Sequence, residues 1–173
     1  VEPLDYAIET YELTKAFETK EKGKRRLVRA VDHVNIKVKK GELFGLLGPN
    51  GAGKSTLTKM ISGMMNPTSG SIKISGYDIQ ENSMKVKELM GVIPQDIVLY
   101  DYMNALENLV FFGELYGLSG KRLQERIDTM IKFTQLDEKS AKRRISTFSG
   151  GMKRRVNIAA ALLHEPQVIL MDE

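Results

Sequence analysis

A chain of 173 residues, 42% of them hydrophobic, can bury one substantial core with at most a small satellite lobe. Lys and Arg total 26 against 22 Asp and Glu, a net charge of +4, and residues 20–26 and 139–144 are both dense in basic side chains. The absence of cysteine excludes a disulfide framework and thiol catalysis, and no apolar stretch approaches the length needed to span a bilayer. Residues 1–11 carry Glu2, Asp5 and Glu9 and lack the basic start and apolar core of a signal peptide. The absence of cysteine also fits a reducing compartment. The basic runs read as solvated loops, or as contacts for nucleic acid or an anionic membrane; neither has interleaved aromatics or a recognition motif.

In chain order, a strand is expected near 11–17, followed by a charged insertion, 18–26, as an exposed turn. Val34, Ile36 and Val38 alternate with Asn35 and Lys37, the period of a half-exposed strand. After the turn 39–42 comes the apolar run 43–47, expected as a strand. It leads into Gly48-Pro49-Asn50-Gly51-Ala52-Gly53-Lys54-Ser55-Thr56, and a helix is expected over 57–61. Gly-x-x-x-x-Gly-Lys-Ser between a strand and a helix is the loop that wraps nucleotide phosphates. Small residues let successive backbone N–H groups turn toward a polyanion, and the partial positive charge of the following helix terminus adds to the attraction. Lys54 supplies an ammonium for the β and γ phosphates, and Ser55 a hydroxyl for the Mg²⁺ that bridges them. Thr56 either joins the loop or only packs the first helical turn.

Residues 66–70 break the chain. A short strand follows over Ile72 and Ile74, and another is expected at 91–93 before Pro94 and Gln95. From 104 to 117 the pattern is helical, with Asn104 and Glu107 spaced as a capping box. A second helix is expected over 121–133, and the two read as a lobe inserted into the nucleotide core. Ser149-Gly150-Gly151 then opens a third helix, along which Met152, Val156, Ala159 and Leu163 share a face. Ser149 can cap it, and the glycines leave backbone donors open to an anion. Residues 168–171 form an apolar strand that delivers Asp172 and Glu173 at its carboxyl end, where open parallel sheets place ligands. Asp172 fits support of Mg²⁺, and Glu173 fits orienting the water that attacks the γ phosphate. Two acids at a surface turn are the plainer reading. The fold expected is α/β: a P-loop NTPase core with an antiparallel β edge region and an inserted helical lobe.

The ordered set resembles the nucleotide-binding domain of ATP-binding cassette transporters over almost the whole chain. Residues 48–56 match the phosphate loop, Gln95 the glutamine loop, 149–152 the signature and 168–172 the second nucleotide motif. The resemblance implies ATP and Mg²⁺ as ligands, with Gln95 sensing both the γ phosphate and the metal. It also implies that Phe17 stacks on adenine, although a core aromatic is the alternative there. Ser149 and Gly151 of one subunit would close over ATP held by 48–55 of another in a head-to-tail dimer. Separate membrane permease subunits would complete a transporter, placing this chain on the cytoplasmic face of the cell membrane.

The signature reads Phe148-Ser-Gly-Gly-Met152, where the family commonly has Leu-Ser-Gly-Gly-Gln; it and residues 108–117 resemble the drug, sodium and polysaccharide exporter branch. The family's switch histidine has no counterpart in His33 or His164. The chain is therefore expected to be truncated at its C-terminus, with weak isolated ATPase activity. Its division is expected as core 1–95, helical lobe 96–148, and signature helix with second-motif strand 149–173. A soluble cassette ATPase acting on DNA or ribosomes is the alternative; neither zinc-binding cysteines nor a long coiled-coil insertion supports it, and no nucleic acid partner is expected.

Overall fold

Two long strands open the chain: β1 (Tyr6–Glu21) runs antiparallel to β2 (Lys24–Lys39) in a computed structural model that describes residues 6–21 and 24–172. The ladder is interrupted by bulges, and polar side chains satisfy the backbone that the bulges free. Asn35 Oδ1 accepts the N–H of Glu12, whose φ of 46° is left-handed, at 2.9 Å. Buried Thr10 donates its hydroxyl to the Val34 carbonyl and accepts the Ile36 N–H, both at 2.9 Å, while Thr14 accepts the His33 N–H at 3.0 Å. An extra residue per bulge also raises local twist. The expected turn at 18–26 is corrected by the ladder, which continues from Phe17↔Val28 to Glu21↔Lys24. Leu27, Val28 and their charged neighbours are exposed, so no buried face imprints a period of two on this part of the hairpin.

The phosphate-loop helix α1 (Lys54–Ile61) follows, then β3 (Ser69–Ile74), β4 (Tyr77–Asp78) and α2 (Ser83–Leu89). The sheet has order β2-β1-β3-β4, with β3 antiparallel to both neighbours, which is the expected antiparallel region. Leu13, Val31, Ile72 and Ile74 of this sheet and Met60 and Ile61 of α1 are buried apolar side chains. One expectation fails here: residues 43–47 form no strand, and Leu43 and Leu47 are 100% and 97% exposed. An all-apolar strand gains stability from neighbours on both edges and cover on both faces. Among the described residues this sheet pairs only β1 to β4.

The chain divides into two compact units after Met90. In the second, β5 (Met90–Ile93) and β6 (Val168–Met171) form a two-stranded sheet. Between them lie α3 (Ala105–Leu115), α4 (Gly120–Thr134), α5 (Glu138–Ala141), a 3-10 turn at Ile145–Thr147, and α6 (Gly150–Leu162). The expected capping box is present: the Asn104 side chain accepts the Glu107 N–H at 2.9 Å, and Glu107 accepts the Asn104 N–H at 2.8 Å. Leu109, Leu123, Ile127, Met130, Ala159 and Leu163 join α3, α4 and α6 around one apolar core. Arg126 ties that core to the end of α6, donating to the Leu163 and Leu162 carbonyls at 2.8 and 3.0 Å and pairing with Glu165 at 3.2 Å. No helix among the described residues is long and apolar enough to cross a membrane.

Asn108 is fully buried on α3 and serves both sides of one residue, accepting the Tyr100 N–H at 2.8 Å and donating to the Tyr100 carbonyl at 3.2 Å. Asn108→Ala leaves both groups unpaired, at about 1–3 kcal/mol for each that stays buried. Urea denaturation is expected to show a total loss of about 2–4 kcal/mol; a loss below about 0.5 kcal/mol would mean that water replaces the amide freely.

Candidate functional site

The loop expected to hold phosphate is shaped by left-handed glycines. Gly51 has φ 83° and Gly53, the residue before α1, has φ 90°, a region that side-chain-bearing residues rarely enter. Gly53 also packs against β2: a β-carbon there would lie 2.2 Å from the Ala30 carbonyl oxygen and 3.5 Å from Val31 Cγ2. The Lys54 ammonium folds back over the loop, donating to the Gly48 carbonyl at 2.6 Å and the Pro49 carbonyl at 3.0 Å. Ala52 donates its N–H to the Pro49 carbonyl at 3.2 Å, which closes the turn around Asn50 and Gly51. Ser55 is exposed and Thr56 half-buried in the first turn of α1, where backbone N–H groups lack partners four residues earlier. Backbone donors, a helix terminus and a cation therefore converge on one loop, the chemistry of an anion site.

The hairpin register relates Phe17 to this loop. Lys15 pairs with Val31 and Ala16 with Arg29, so the ladder skips Ala30, whose carbonyl is the one Gly53 approaches. Phe17 pairs with Val28, two residues further, roughly 7 Å at the rise of an extended strand. Both side chains are exposed at 38% and 44%, and Lys15 Nζ lies 5.4 Å from the Phe17 ring centroid. Phe17 is thus not a core aromatic.

In the second unit Ser149 caps α6, its hydroxyl oxygen accepting the Met152 N–H at 3.3 Å. Gly150 and Gly151 are exposed, and a β-carbon on either would meet nothing within 4 Å, so the helix start is open to an approaching group. The Met152 and Phe148 departures share an explanation: both pack in the apolar cluster of Ala105, Ile145 and Val156. The Asp172 N–H donates to the Ile93 carbonyl at 3.1 Å, which sets the carboxyl ends of β5 and β6 side by side. Gln95 and Asp172 therefore leave the same end of that sheet, and Gln95 is exposed. Glu173 lies outside the described residues. Phe17 and 48–56 belong to the first unit; Gln95, Ser149, Gly150, Gly151 and Asp172 belong to the second.

Sequence reasoning missed the residues that hold the glutamine segment. Arg154 Nη1 donates to the Pro94 carbonyl at 2.6 Å and the Gln95 carbonyl at 3.3 Å. Buried Asn157 accepts the Val98 N–H at 3.2 Å, and Lys153 pairs with Asp101 at 2.7 Å. Only Asn157 left a signal, a polar residue flanked by Val156 and Ile158 on a helix with an apolar face.

Residues 31–173 match the family described as ABC transporter. The linearmycin resistance ATP-binding protein LnrL of Bacillus subtilis is 48% identical over 151 residues, 87% of this chain and 47% of that protein. The chain spans about half the length of the curated relatives it matches. Among solved structures, the dimeric bacterial ABC transporter cassette MJ0796 superposes with a TM-score of 0.81 at 29% identity, covering 96% of this chain and 73% of that one. The cbiO1 protein of Clostridium perfringens, part of the complex cbiONQ, gives 0.79 at 30% identity over 98% of this chain and 66% of that one. Glycine loop, capped signature helix and paired strand ends thus stand in an α/β P-loop fold shared with known cassettes, and the chain belongs to the ABC transporter family.

Proposed function

We propose that this chain is the nucleotide-binding part of an ATP-hydrolysing motor subunit that drives export through separate membrane subunits. The observation that carries the reading is the loop 48–56, where Gly51 and Gly53 adopt left-handed φ and Lys54 Nζ folds back onto the Gly48 and Pro49 carbonyls at the start of α1. In this reading Gly48, Pro49, Asn50, Gly51, Ala52, Gly53, Lys54, Ser55 and Thr56 bind the phosphates, and Phe17 stacks on adenine. Ser149, Gly150 and Gly151 close over the nucleotide of a second, head-to-tail subunit, as the dimeric MJ0796 cassette makes plausible. Export is supported by the resistance protein LnrL, and membrane partners by the membership of cbiO1 in a transporter complex. The protein would then work at the cytoplasmic face of the membrane.

Ser55, Gln95 and Asp172 offer a hydroxyl, an amide oxygen and a carboxylate. These hard oxygen donors suit Mg²⁺, which takes few protein ligands and shares the rest with water and phosphate. Mg²⁺ would neutralise charge on the β and γ phosphates. The protein would supply Lys54 and the backbone N–H groups of the loop to the developing charge, and Glu173 would orient water. The segments 1–95, 96–148 and 149–173 serve as the first part of the core, the helical lobe, and the signature helix with the second-motif strand.

The test is Glu173→Gln in the full-length protein. Steady-state ATP turnover should fall at least about tenfold, consistent with losing a general base, while ATP shifts the protein to a dimer in size-exclusion chromatography. Unchanged turnover would remove Glu173 from the chemistry. Failure of the full-length protein to co-purify with membrane subunits would count against the transporter reading.

A further inference from the structure

Residues 94–101 have no regular secondary structure, so their backbone groups must find partners elsewhere. Three of those backbone groups find partners on one helix, which also holds the Asp101 side chain by an ion pair. Lys153, Arg154 and Asn157 occupy positions i, i+1 and i+4 of α6 and reach Asp101, the Pro94 and Gln95 carbonyls, and the Val98 N–H respectively. The spacing places all three on one side of a helix with 3.6 residues per turn. At the other end of the segment Asn108 of α3 holds Tyr100, and the Ser146 N–H donates to the Asp101 carbonyl at 3.0 Å. The grip begins within one turn of the exposed helix start formed by Ser149, Gly150 and Gly151, with Lys153 and Arg154, and ends with Asn157 about two turns in.

We propose that Lys153, Arg154 and Asn157 are positioning residues: a latch that makes the placement of Gln95 follow the signature helix. The inference rests on the functional reading above and deepens it. Gln95 would attend the nucleotide of its own subunit, whereas Ser149 and Gly151 would touch the nucleotide of the partner. A rigid connection between them links the two nucleotide sites of a dimer through α6. Closure at one site then sets the Gln95 backbone at the other, and ATP use at the two sites becomes cooperative. Arg154 is the central member because its guanidinium spans two successive carbonyls next to Gln95. Both bonds come from the single nitrogen Nη1, so a Lys at this position keeps one charged donor for the same carbonyls.

The experiment uses the full-length protein with its membrane subunits and compares wild type, Arg154→Ala, Arg154→Lys and Asp101→Asn. Arg154→Ala should lower kcat for ATP about fivefold and bring the Hill coefficient to about 1, with KM and the melting temperature little changed. Arg154→Lys should recover at least half of kcat. Asp101→Asn, which weakens the exposed ion pair to Lys153, should lower kcat about twofold in the same direction. Retention of both kcat and cooperativity in Arg154→Ala overturns the latch, as does a parallel fall of kcat, nucleotide affinity and melting temperature, which assigns Arg154 a purely structural role. If Arg154→Ala does not fold, wild-type kinetics in Asp101→Asn overturn the latch instead. A wild-type protein without ATP turnover overturns the functional reading itself, and with it the catalytic consequence of the latch.

Discussion

Lys54→Ala in the full-length protein is expected to reduce ATP turnover about a thousandfold, the upper range for losing a preorganised charge at a developing anion, while the melting temperature moves by no more than a few degrees. Among the described residues its ammonium bonds only to the Gly48 and Pro49 carbonyls of its own loop, at 2.6 and 3.0 Å, and the loop is solvent-accessible. Those two bonds exchange for water at little cost, because exposed interactions of this kind contribute little net stability. Phosphate is a different partner. The β and γ oxygens gain negative charge as the terminal bond breaks, and a cation tethered to the loop by its own backbone needs only to swing from the two carbonyls to meet that charge. The loss should therefore fall mainly on kcat, with a smaller loss of affinity. Lys54→Arg should rescue poorly, since a planar fork does not replace a compact point charge in a narrow loop. Wild-type turnover in Lys54→Ala would take the loop out of the chemistry, and a drop of more than about 5 °C in melting temperature, beyond the shift expected for about 1 kcal/mol, would recast the lysine as a structural brace.

The parts of the fold legible in the sequence are those whose local chemistry is self-contained. Asn104 and Glu107 predicted the start of α3 because a capping box involves only residues three apart. Ser149 predicted the start of α6 for the same reason, and 168–171 predicted β6 through an unbroken apolar run. The hairpin was misread at 18–26 because its strands there are held by a backbone ladder with exposed side chains, so no buried face wrote a pattern into the sequence. The run 43–47 failed in the opposite sense: its apolar composition asks for neighbours on both sides, and the sheet of the first unit does not supply them among the described residues.

At the candidate site the same division holds. Glycines and Lys54 were readable because their residue types answer directly to a phosphate. The ties from Arg154 and Asn157 to 94–98 span 59 or more positions, and nothing local marks them except a polar residue on a packed helix. Met152 illustrates how a motif departure becomes intelligible only through packing, since its side chain joins an apolar cluster that the sequence scatters over Ala105, Ile145, Phe148 and Val156.

Gly53→Ala should be the most damaging alanine substitution among the loop glycines Gly48, Gly51 and Gly53, and its comparison with Gly51→Ala separates two causes. Both residues have left-handed φ, 90° and 83°, so either alanine carries backbone strain of about 1–2 kcal/mol. Gly51 has open space around its missing β-carbon, and there the strain is the whole effect. At Gly53 the added carbon would meet the Ala30 carbonyl oxygen at 2.2 Å, and because that atom is backbone, flanked by the paired residues Arg29 and Val31, it cannot swing aside as a side chain would. Relief requires either β2 to shift at its bulge or the loop to lift away, at a further cost of about 1–3 kcal/mol typical of overpacking. Lifting the loop displaces the first N–H groups of α1, the donors on which phosphate depends. Gly53→Ala is therefore expected to weaken ATP binding about a hundredfold, equivalent to about 2.7 kcal/mol, and Gly51→Ala no more than about tenfold. Isothermal titration of the full-length variants with ATP measures the difference. Equal losses would mean that the contact with Ala30 carries no weight and that conformation alone governs the loop.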